Sequence, residues 1–322
     1  MILIALYGVV ICLLVWVFRQ VPLGKAIGLL QRMPTLAVVV WCLLNGVIFA
    51  LMSVRWWWFL YAMGQPIRLI WMMIYRLVGF GISYFTPGTQ FGGEPAQVWL
   101  VSQRHTVKVS IAVAALAFDR LIDILASFVV LLICLLLATP YIPLLKLNSN
   151  HLWGLVAFIL LGIGLYLQAL ARKRQPLTYL TQHSFLRKFK HSLSLITESE
   201  KHMVSLFAQQ PGAFWVALLI TMLQWVLMVV EFWLTFVLLG THLTFSETML
   251  LLALVRVAFL LPAPGALGAL EAGLFIGLQQ ILGLSPELPI ATALLIRLRD
   301  TLLGGIGLVL SVPLLGKWQK KA

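Results

Sequence analysis

The chain has 322 residues, of which 61% are hydrophobic and 10% are charged, and its mean hydropathy is +1.01. This composition excludes an ordinary soluble globular domain and indicates an integral membrane protein. The formal net charge of +13 would suggest nucleic acid as a partner of a soluble protein. Here the basic residues cluster beside apolar runs, as they do in membrane proteins, so we expect no nucleic acid partner.

Six apolar runs have about the length that a membrane-spanning helix needs. They cover 2–18, 36–63, 109–138, 152–171, 213–239 and 290–315. Two further regions, 66–101 and 245–282, are each apolar over about two helices and are interrupted by Pro-Gly, which predicts helical hairpins that are either re-entrant or fully spanning. Backbone groups in lipid must be paired within their own segment. We therefore predict an all-α polytopic membrane protein with about eight spans at the level of hydropathy.

The termini and the longest polar connection bear on orientation. Run 2–18 lacks the basic segment and cleavage site of a signal peptide, so we expect it to remain as a helix. Connection 172–210 is strongly basic, which predicts a cytoplasmic location, and its apolar spacing suits an amphipathic helix on an anionic leaflet. A solvated linker that only orients the protein is the alternative. A basic tail, 317–322, ends the sequence.

Two segments of the chain repeat one pattern at an offset of 177 residues. TPGTQFGGEPA begins at Thr86 and APGALGALEAG begins at Ala263; in each, a Glu lies seven residues after the Pro of Pro-Gly, an Arg follows that Glu by 26 residues, and an Asp follows the Arg by three. The matched residues are Pro87, Gly88, Glu94, Arg120 and Asp123 in the first segment, and Pro264, Gly265, Glu271, Arg297 and Asp300 in the second. This pattern predicts two related membrane repeats, 1–139 and 140–316.

The relative orientation of the repeats follows from the crossings in each. If both arms of a hairpin cross the membrane, or neither does, each repeat crosses an odd number of times and the two are inverted. Most basic connections then share one face, although Arg19, Lys25 and Arg32 oppose this arrangement. A parallel repeat, with one net crossing per hairpin, fits the charges nearly as well.

We single out eleven ionisable residues within the apolar runs or hairpins. They are Glu94, Asp119, Asp123, Glu231, Glu271 and Asp300, with Arg76, Arg120, Arg256, Arg297 and Arg299. Each would cost about 3 kcal/mol at the centre of a lipid-facing helix, so we expect them to face one another or a wet cavity. Arg120 with Asp123, and Arg297 with Asp300, share a helix face at i and i+3. The alternative reading is that these charges only hold helices together as buried salt bridges.

The two broken segments resemble the discontinuous helices that form transporter sites at mid-membrane. Pro87 interrupts backbone hydrogen bonding and Gly88 permits an unusual turn, so a helix that begins near Gln90 can direct free N–H groups at an anion. We predict that the ten matched residues bind substrate, that Glu94 pairs with Arg120 until a phosphate displaces it, and that Gly92 and Gly93 allow close helix approach. The coupling or pairing set is Arg76, Asp119, Glu231, Arg256 and Arg299. A tight interhelical turn with small residues is the alternative.

The motifs PGTQFGGEPAQ and FDRLID, followed by PAPGALGALEAG and LLIRLRD, resemble a known membrane domain over nearly the whole chain. It is the flippase-like domain of the lysylphosphatidylglycerol synthase (multiple peptide resistance factor) family and of stand-alone YbhN-like proteins. That family often has Gly-Gly and an Arg where this chain has Thr89, Gln90, Glu94 and Pro95. The resemblance implies movement of a lipid, or of a lipid-linked amino acid or sugar, between leaflets. The transferase activity of larger relatives belongs to a soluble domain, which we do not expect in a chain that ends at Ala322.

These observations predict a lipid flippase or exporter in a bacterial cytoplasmic membrane, rather than an enzyme. The sequence contains no GxxxxGK[ST] loop and no metal-ligand spacing, so we expect no cofactor; transport would be downhill or coupled to protons or membrane potential through Asp119, Glu231 and Asp300. Membrane lipids are the expected partners, with a lipid-modifying enzyme as a further one. The alternatives are a membrane-embedded lipid transferase and a stabilising subunit of a lipid-synthesis complex.

Overall fold

The computed structural model describes residues 23–86, 92–138, 141, 144–182, 190–260 and 266–315. All regular secondary structure within these ranges is helical, which confirms the predicted all-α class for this part of the chain. Several predictions lie outside the described residues: those for run 2–18, for Pro87, Gly88, Pro264 and Gly265, and for tail 317–322.

Twelve α-helices make up the described part of the chain. They are α1 Leu23–Gln31, α2 Thr35–Ala62, α3 Leu69–Phe85, α4 Glu94–His105, α5 Val109–Ala138, α6 Leu144–Ala171, α7 Pro176–Gln182, α8 Lys190–Gln209, α9 Pro211–Leu238, α10 Phe245–Leu260, α11 Ala269–Phe275 and α12 Glu287–Leu315. A π-helical segment, Ile276–Ile281, continues α11. Proline stands at the start of two helices that correspond in the repeat, as Pro34 before α2 and as Pro211 in α9. At a helix start the backbone N–H makes no intrahelical hydrogen bond, so proline costs nothing by lacking it.

Three of the described helices, α2, α5 and α9, are long and apolar enough to cross a membrane. Two shorter apolar helical stretches are Leu69–Tyr84, which belongs to α3, and Val156–Ala171, which belongs to α6. The count of eight spans therefore stays a prediction. Connection 172–210 contains α7 and α8, and α8 buries Met203 and Leu206 in the protein core. Part of this connection is therefore packed against other helices.

The order and lengths of four helices recur in the two halves. Helices α2 to α5 have 28, 17, 12 and 30 residues; α9 to α12 have 28, 16, 7 and 29, with six π-helical residues after α11. The contacts between the halves are also reciprocal. Helix α2 packs on its counterpart α9, α3 packs on α12, and their counterparts α10 and α5 pack on each other.

The contact between α2 and α9 is antiparallel. The Trp41 indole donates to Thr235 Oγ1 at 3.1 Å and the Asn45 amide donates to Glu231 Oε1 at 3.2 Å. Further along α2, Arg55 donates to Thr221 Oγ1 at 3.1 Å. Since the residue number falls on α9 as it rises on α2, these two helices run in opposite directions.

Glycine permits two close helix contacts. A Cβ on Gly307 of α12 would collide with the Leu77 carbonyl of α3, and a Cβ on Gly93 would collide with the Gly79 carbonyl. The second contact is the close approach that the sequence predicts for Gly93. Small residues of this kind let membrane helices approach backbone to backbone.

We expect Gly307→Ala to destabilise the α3 and α12 contact by about 1–3 kcal/mol, the usual range for overpacking a tight site. Gly305→Ala is the matched control on the same helix, because a Cβ there meets nothing within 4 Å. Thermal unfolding of the detergent-solubilised protein measures both variants. Equal melting temperatures for the two would contradict the contact.

Candidate functional site

A cavity of about 270 Å³ lies among helices from both halves of the chain. Its charged lining consists of four arginines, Arg76, Arg120, Arg256 and Arg299, and three carboxylates, Asp123, Glu231 and Asp300. Phenylalanine, methionine and aliphatic side chains form much of the remaining lining. Seven of the eleven ionisable residues that the sequence analysis singles out therefore converge on one cavity.

Arg55 ties three helices together beside this cavity. Its guanidinium on α2 lies 2.7 Å from Asp119 Oδ1 and 3.0 Å from Asp123 Oδ1 on α5, and its side chain is fully buried. It also donates to Thr221 Oγ1 and Gln224 Oε1 on α9. Every nitrogen of this buried cation thus has an acceptor, which a charge in a low-dielectric interior requires.

Asp119 is shared between two arginines. Besides Arg55, it accepts from Arg76 Nη1 and Nη2, each at 2.9 Å, and Arg76 also donates to the Met52 carbonyl at 2.7 Å. Asp119 has no exposed surface. One buried carboxylate therefore fixes the position of two cations at the cavity wall.

A second charged group surrounds Arg299. Its guanidinium lies 2.8 Å from Asp300 Oδ1 and 3.2 Å from Glu231 Oε1, and it donates to Asn45 Oδ1 at 3.1 Å. Asn45 in turn donates to Glu231. These four residues come from α2, α9 and α12, so this group joins the two halves on the other side of the cavity.

Both Glu and Arg pairs that are spaced 26 residues apart form ion pairs. Glu94 Oε1 lies 3.0 Å from Arg120 Nη2, and Glu271 Oε1 lies 3.0 Å from Arg297 Nε. Glu271 also accepts from the Gly268 N–H, which places its carboxylate at the start of α11. The repeat in the sequence therefore corresponds to a repeated contact in the fold.

Asp123 and Asp300 pair with arginines other than those that share their helix face at i and i+3. Asp123 binds Arg55 from α2 instead of Arg120, and Asp300 binds Arg299, its neighbour in the chain, instead of Arg297. The reason is that Arg120 and Arg297 each turn to the glutamate at the start of a short helix. Each aspartate then takes a different arginine.

Arg256 differs from the other cavity arginines because no described carboxylate pairs with it. Its Cζ lies 4.4 Å from the ring centroid of Trp225, and its Nη2 is 3.8 Å from Met228 Sδ. A cation–π contact of this kind contributes on the order of 0.5–2 kcal/mol, less than a buried ion pair with full hydrogen bonding. Arg256 is thus the cation best placed to accept an anionic ligand.

Unpaired hydrogen-bond donors cluster on residues that line this cavity. The Nε atoms of Arg76, Arg120 and Arg256 and the indole nitrogen of Trp225 are buried without a hydrogen-bond partner among the described residues. An unpaired buried donor costs about 1–3 kcal/mol. A ligand with several acceptor oxygens would satisfy these groups.

Those predicted site residues that the structure describes fall into three groups. Arg120, Asp123 and Asp300 line the cavity together with the predicted pairing residues Arg76, Glu231, Arg256 and Arg299. Glu94 and Asp119 contact the lining arginines from behind. Arg297 and Glu271 pair with each other, and neither lines this cavity.

Arg55 was missed by the sequence reasoning. It is the only Lys or Arg within run 36–63, and an intramembrane charge is a functional candidate by default. Its position one repeat later is Phe232, so a search for matched polar residues could not find it.

The helices and the cavity define this chain as a membrane protein with a charged internal cavity. It belongs to the family described as the lysylphosphatidylglycerol synthase TM region, whose model matches residues 2–307. This confirms the resemblance and ties the protein to lipid metabolism or transport. The chain is also similar to a UPF0104 membrane protein of Methanothermobacter thermautotrophicus (strain Delta H), with 23% identity over 290 residues, covering 85% of this chain and 84% of that protein. No solved structure is a significant match.

We expect Asp119→Asn to destabilise the protein by about 3–5 kcal/mol, because it leaves Arg55 and Arg76 without the buried charge that they share. Glu198→Gln, which removes an exposed carboxylate of α8, is the control and should change stability little. Thermal unfolding in detergent measures both variants. A shift for Asp119→Asn no larger than that of the control would contradict the shared ion pair.

Proposed function

We propose that this protein moves a lipid between membrane leaflets by passing the headgroup through the central cavity. The observation that carries the proposal is the set of unpaired donors on Arg76, Arg120 and Arg256, which line one cavity inside apolar helices. Arginine donates in a planar fork that matches the oxygens of phosphate or carboxylate. A headgroup that carries such an anion supplies the acceptors these donors lack.

The size of the cavity supports entry by a headgroup without its acyl chains. Pockets that enclose drug-sized ligands have volumes of about 300–1,000 Å³, and this cavity has about 270 Å³. A complete phospholipid is larger than most such ligands. In the proposed mechanism the acyl chains therefore remain outside the cavity while the headgroup occupies it.

We further infer that the two halves are inverted repeats. The antiparallel contact of α2 with α9 supports this inference, because the helices that correspond in the two halves then run in opposite directions. Inverted repeats allow a central site to open in turn to the two faces of a membrane. The ion pairs between Arg299 and Glu231, and between Arg55 and its partners, are the contacts that such a motion would have to preserve or exchange.

The proposed coupling carboxylates are Glu231 and Asp300, because both line the cavity where a headgroup or proton would pass. Asp119, which the sequence also suggests, lies behind the wall between two arginines, and its proposed role is to hold them in place. The protein acts in this proposal as a transporter of the cytoplasmic membrane rather than as an enzyme. Phospholipids and lipid-linked sugars or amino acids are the proposed cargo.

The test is translocation of fluorescent phospholipids in proteoliposomes, with anionic and zwitterionic headgroups and with empty liposomes as the blank. We expect Arg256→Gln to slow translocation by about tenfold or more, the effect of losing one charged hydrogen bond of about 1.5–3 kcal/mol. Arg68→Gln, an exposed arginine at the start of α3, is the matched control. Wild-type rates equal to the blank for every headgroup, or equal rates in the two variants, would contradict the proposal.

A further inference from the structure

An apolar groove of about 550 Å³ runs along α4 and α5. Its lining is largely aliphatic and aromatic, including Val98, Trp99, Val113 and Ala117, and Leu195 of α8 closes one side. Its charged lining residues are Glu94 and Arg120. The groove is therefore largely apolar, with one ion pair in its lining, and could bind a hydrocarbon chain.

Arg120 belongs both to this groove and to the central cavity. Its partner Glu94, 3.0 Å away, lines the groove without lining the cavity. The Glu94 and Arg120 ion pair therefore stands where the apolar groove meets the charged cavity.

The groove has the length of one membrane leaflet. It is lined along α5 from Val109 to Arg120, a distance of about 16 Å at the helical rise of 1.5 Å per residue. Half of a hydrocarbon core is about 15 Å. An acyl chain in its normal orientation in one leaflet would thus reach from the start of α5 to the ion pair.

The end of the groove near Val109 is basic. Lys108, the residue before α5, is exposed. Burial, together with the charge of Lys108, lowers the pKa of His202 on α8 below its usual range. The exposed ammonium of Lys108 offers a cation to a lipid phosphate at this level of the membrane.

We propose that this groove binds one acyl chain of an anionic phospholipid whose headgroup lies at Lys108, and that the Glu94 and Arg120 ion pair closes the inner end of the groove and keeps that chain out of the central cavity. The docking site does not depend on the proposed function. The role of the ion pair rests on the proposed function, in which the acyl chains remain outside the cavity.

Photolabelling with a lipid probe tests the site. Proteoliposomes of phosphatidylglycerol carry a trace of a phosphatidylglycerol with a diazirine on its acyl chain; after irradiation, labelled peptides are mapped by mass spectrometry. We expect labels on peptides from α4 and from 109–117 of α5, and their loss in Ala117→Trp, which fills the groove. Ile133→Trp, on an exposed position of the same helix, should keep them. Val113→Trp is a second groove-filling variant should Ala117→Trp fold poorly.

Two further variants test the ends of the groove. Lys108→Gln should weaken groove labelling, whereas Arg172→Gln, an exposed arginine after α6, should leave it unchanged. Glu94→Gln removes the attraction that closes the inner end, so labels should then appear on the cavity helices α3 and α10. If Glu94→Gln gives no new labels there, the ion pair is not a barrier.

Translocation measured on the same vesicles separates this proposal from the proposed function. Translocation with no groove labels, or with labels that Ala117→Trp and Val113→Trp do not reduce, would overturn the docking site and leave the cavity mechanism standing. Groove labels that these variants abolish, in vesicles without translocation, would establish the docking site and overturn the transport function.

Discussion

The buried guanidinium of Arg55 is the contact on which the cavity depends. It binds Asp119 and Asp123 on α5 and donates to Thr221 and Gln224 on α9, so one side chain joins the first half of the chain to the second. Removing one member of a buried charge cluster is far more costly than removing an exposed one, because the remaining charge is left unpaired. Arg76 is positioned through the same Asp119. The arrangement of the cavity wall thus follows from one cation and the carboxylates that neutralise it.

The two halves share a helical plan but have different charges at the cavity. The Glu94 and Arg120 pair borders both the cavity and the groove, whereas the Glu271 and Arg297 pair borders neither. In our proposal the first pair keeps an acyl chain of the docked lipid out of the cavity. The second is held by two oxygens of Glu271 and by the Ala266 carbonyl, which suits a structural role. The two halves therefore have similar helices but place different side chains around the one polar cavity.

The sequence predicts the framework better than it predicts the contacts. Hydropathy gives 109–138 with the bounds of α5, and the 26-residue spacing identifies both Glu and Arg pairs, because length and repetition are local properties of a chain. The partner of Asp123 could not be found in this way, since Arg55 lies on another helix 68 residues earlier and only packing brings the two together. The sequence also could not show that Arg256 pairs with none of the described carboxylates, because a near balance of charges does not say which cation pairs with which anion.

The arrangement of the two halves is tested most directly by determining on which face of the membrane the connections after α2 and α9 lie. Gln65 follows α2 and His242 follows α9, and they stand at corresponding positions of the repeat. In a variant without Cys12, Cys42 and Cys134, single cysteines at Gln65 and at His242 are exposed to an impermeant maleimide from one face of sealed vesicles and then from both. Inverted halves predict that the reagent reaches the two cysteines from opposite faces. Labelling of both from the same face would contradict the inverted arrangement, and with it a cavity that opens in turn to the two leaflets.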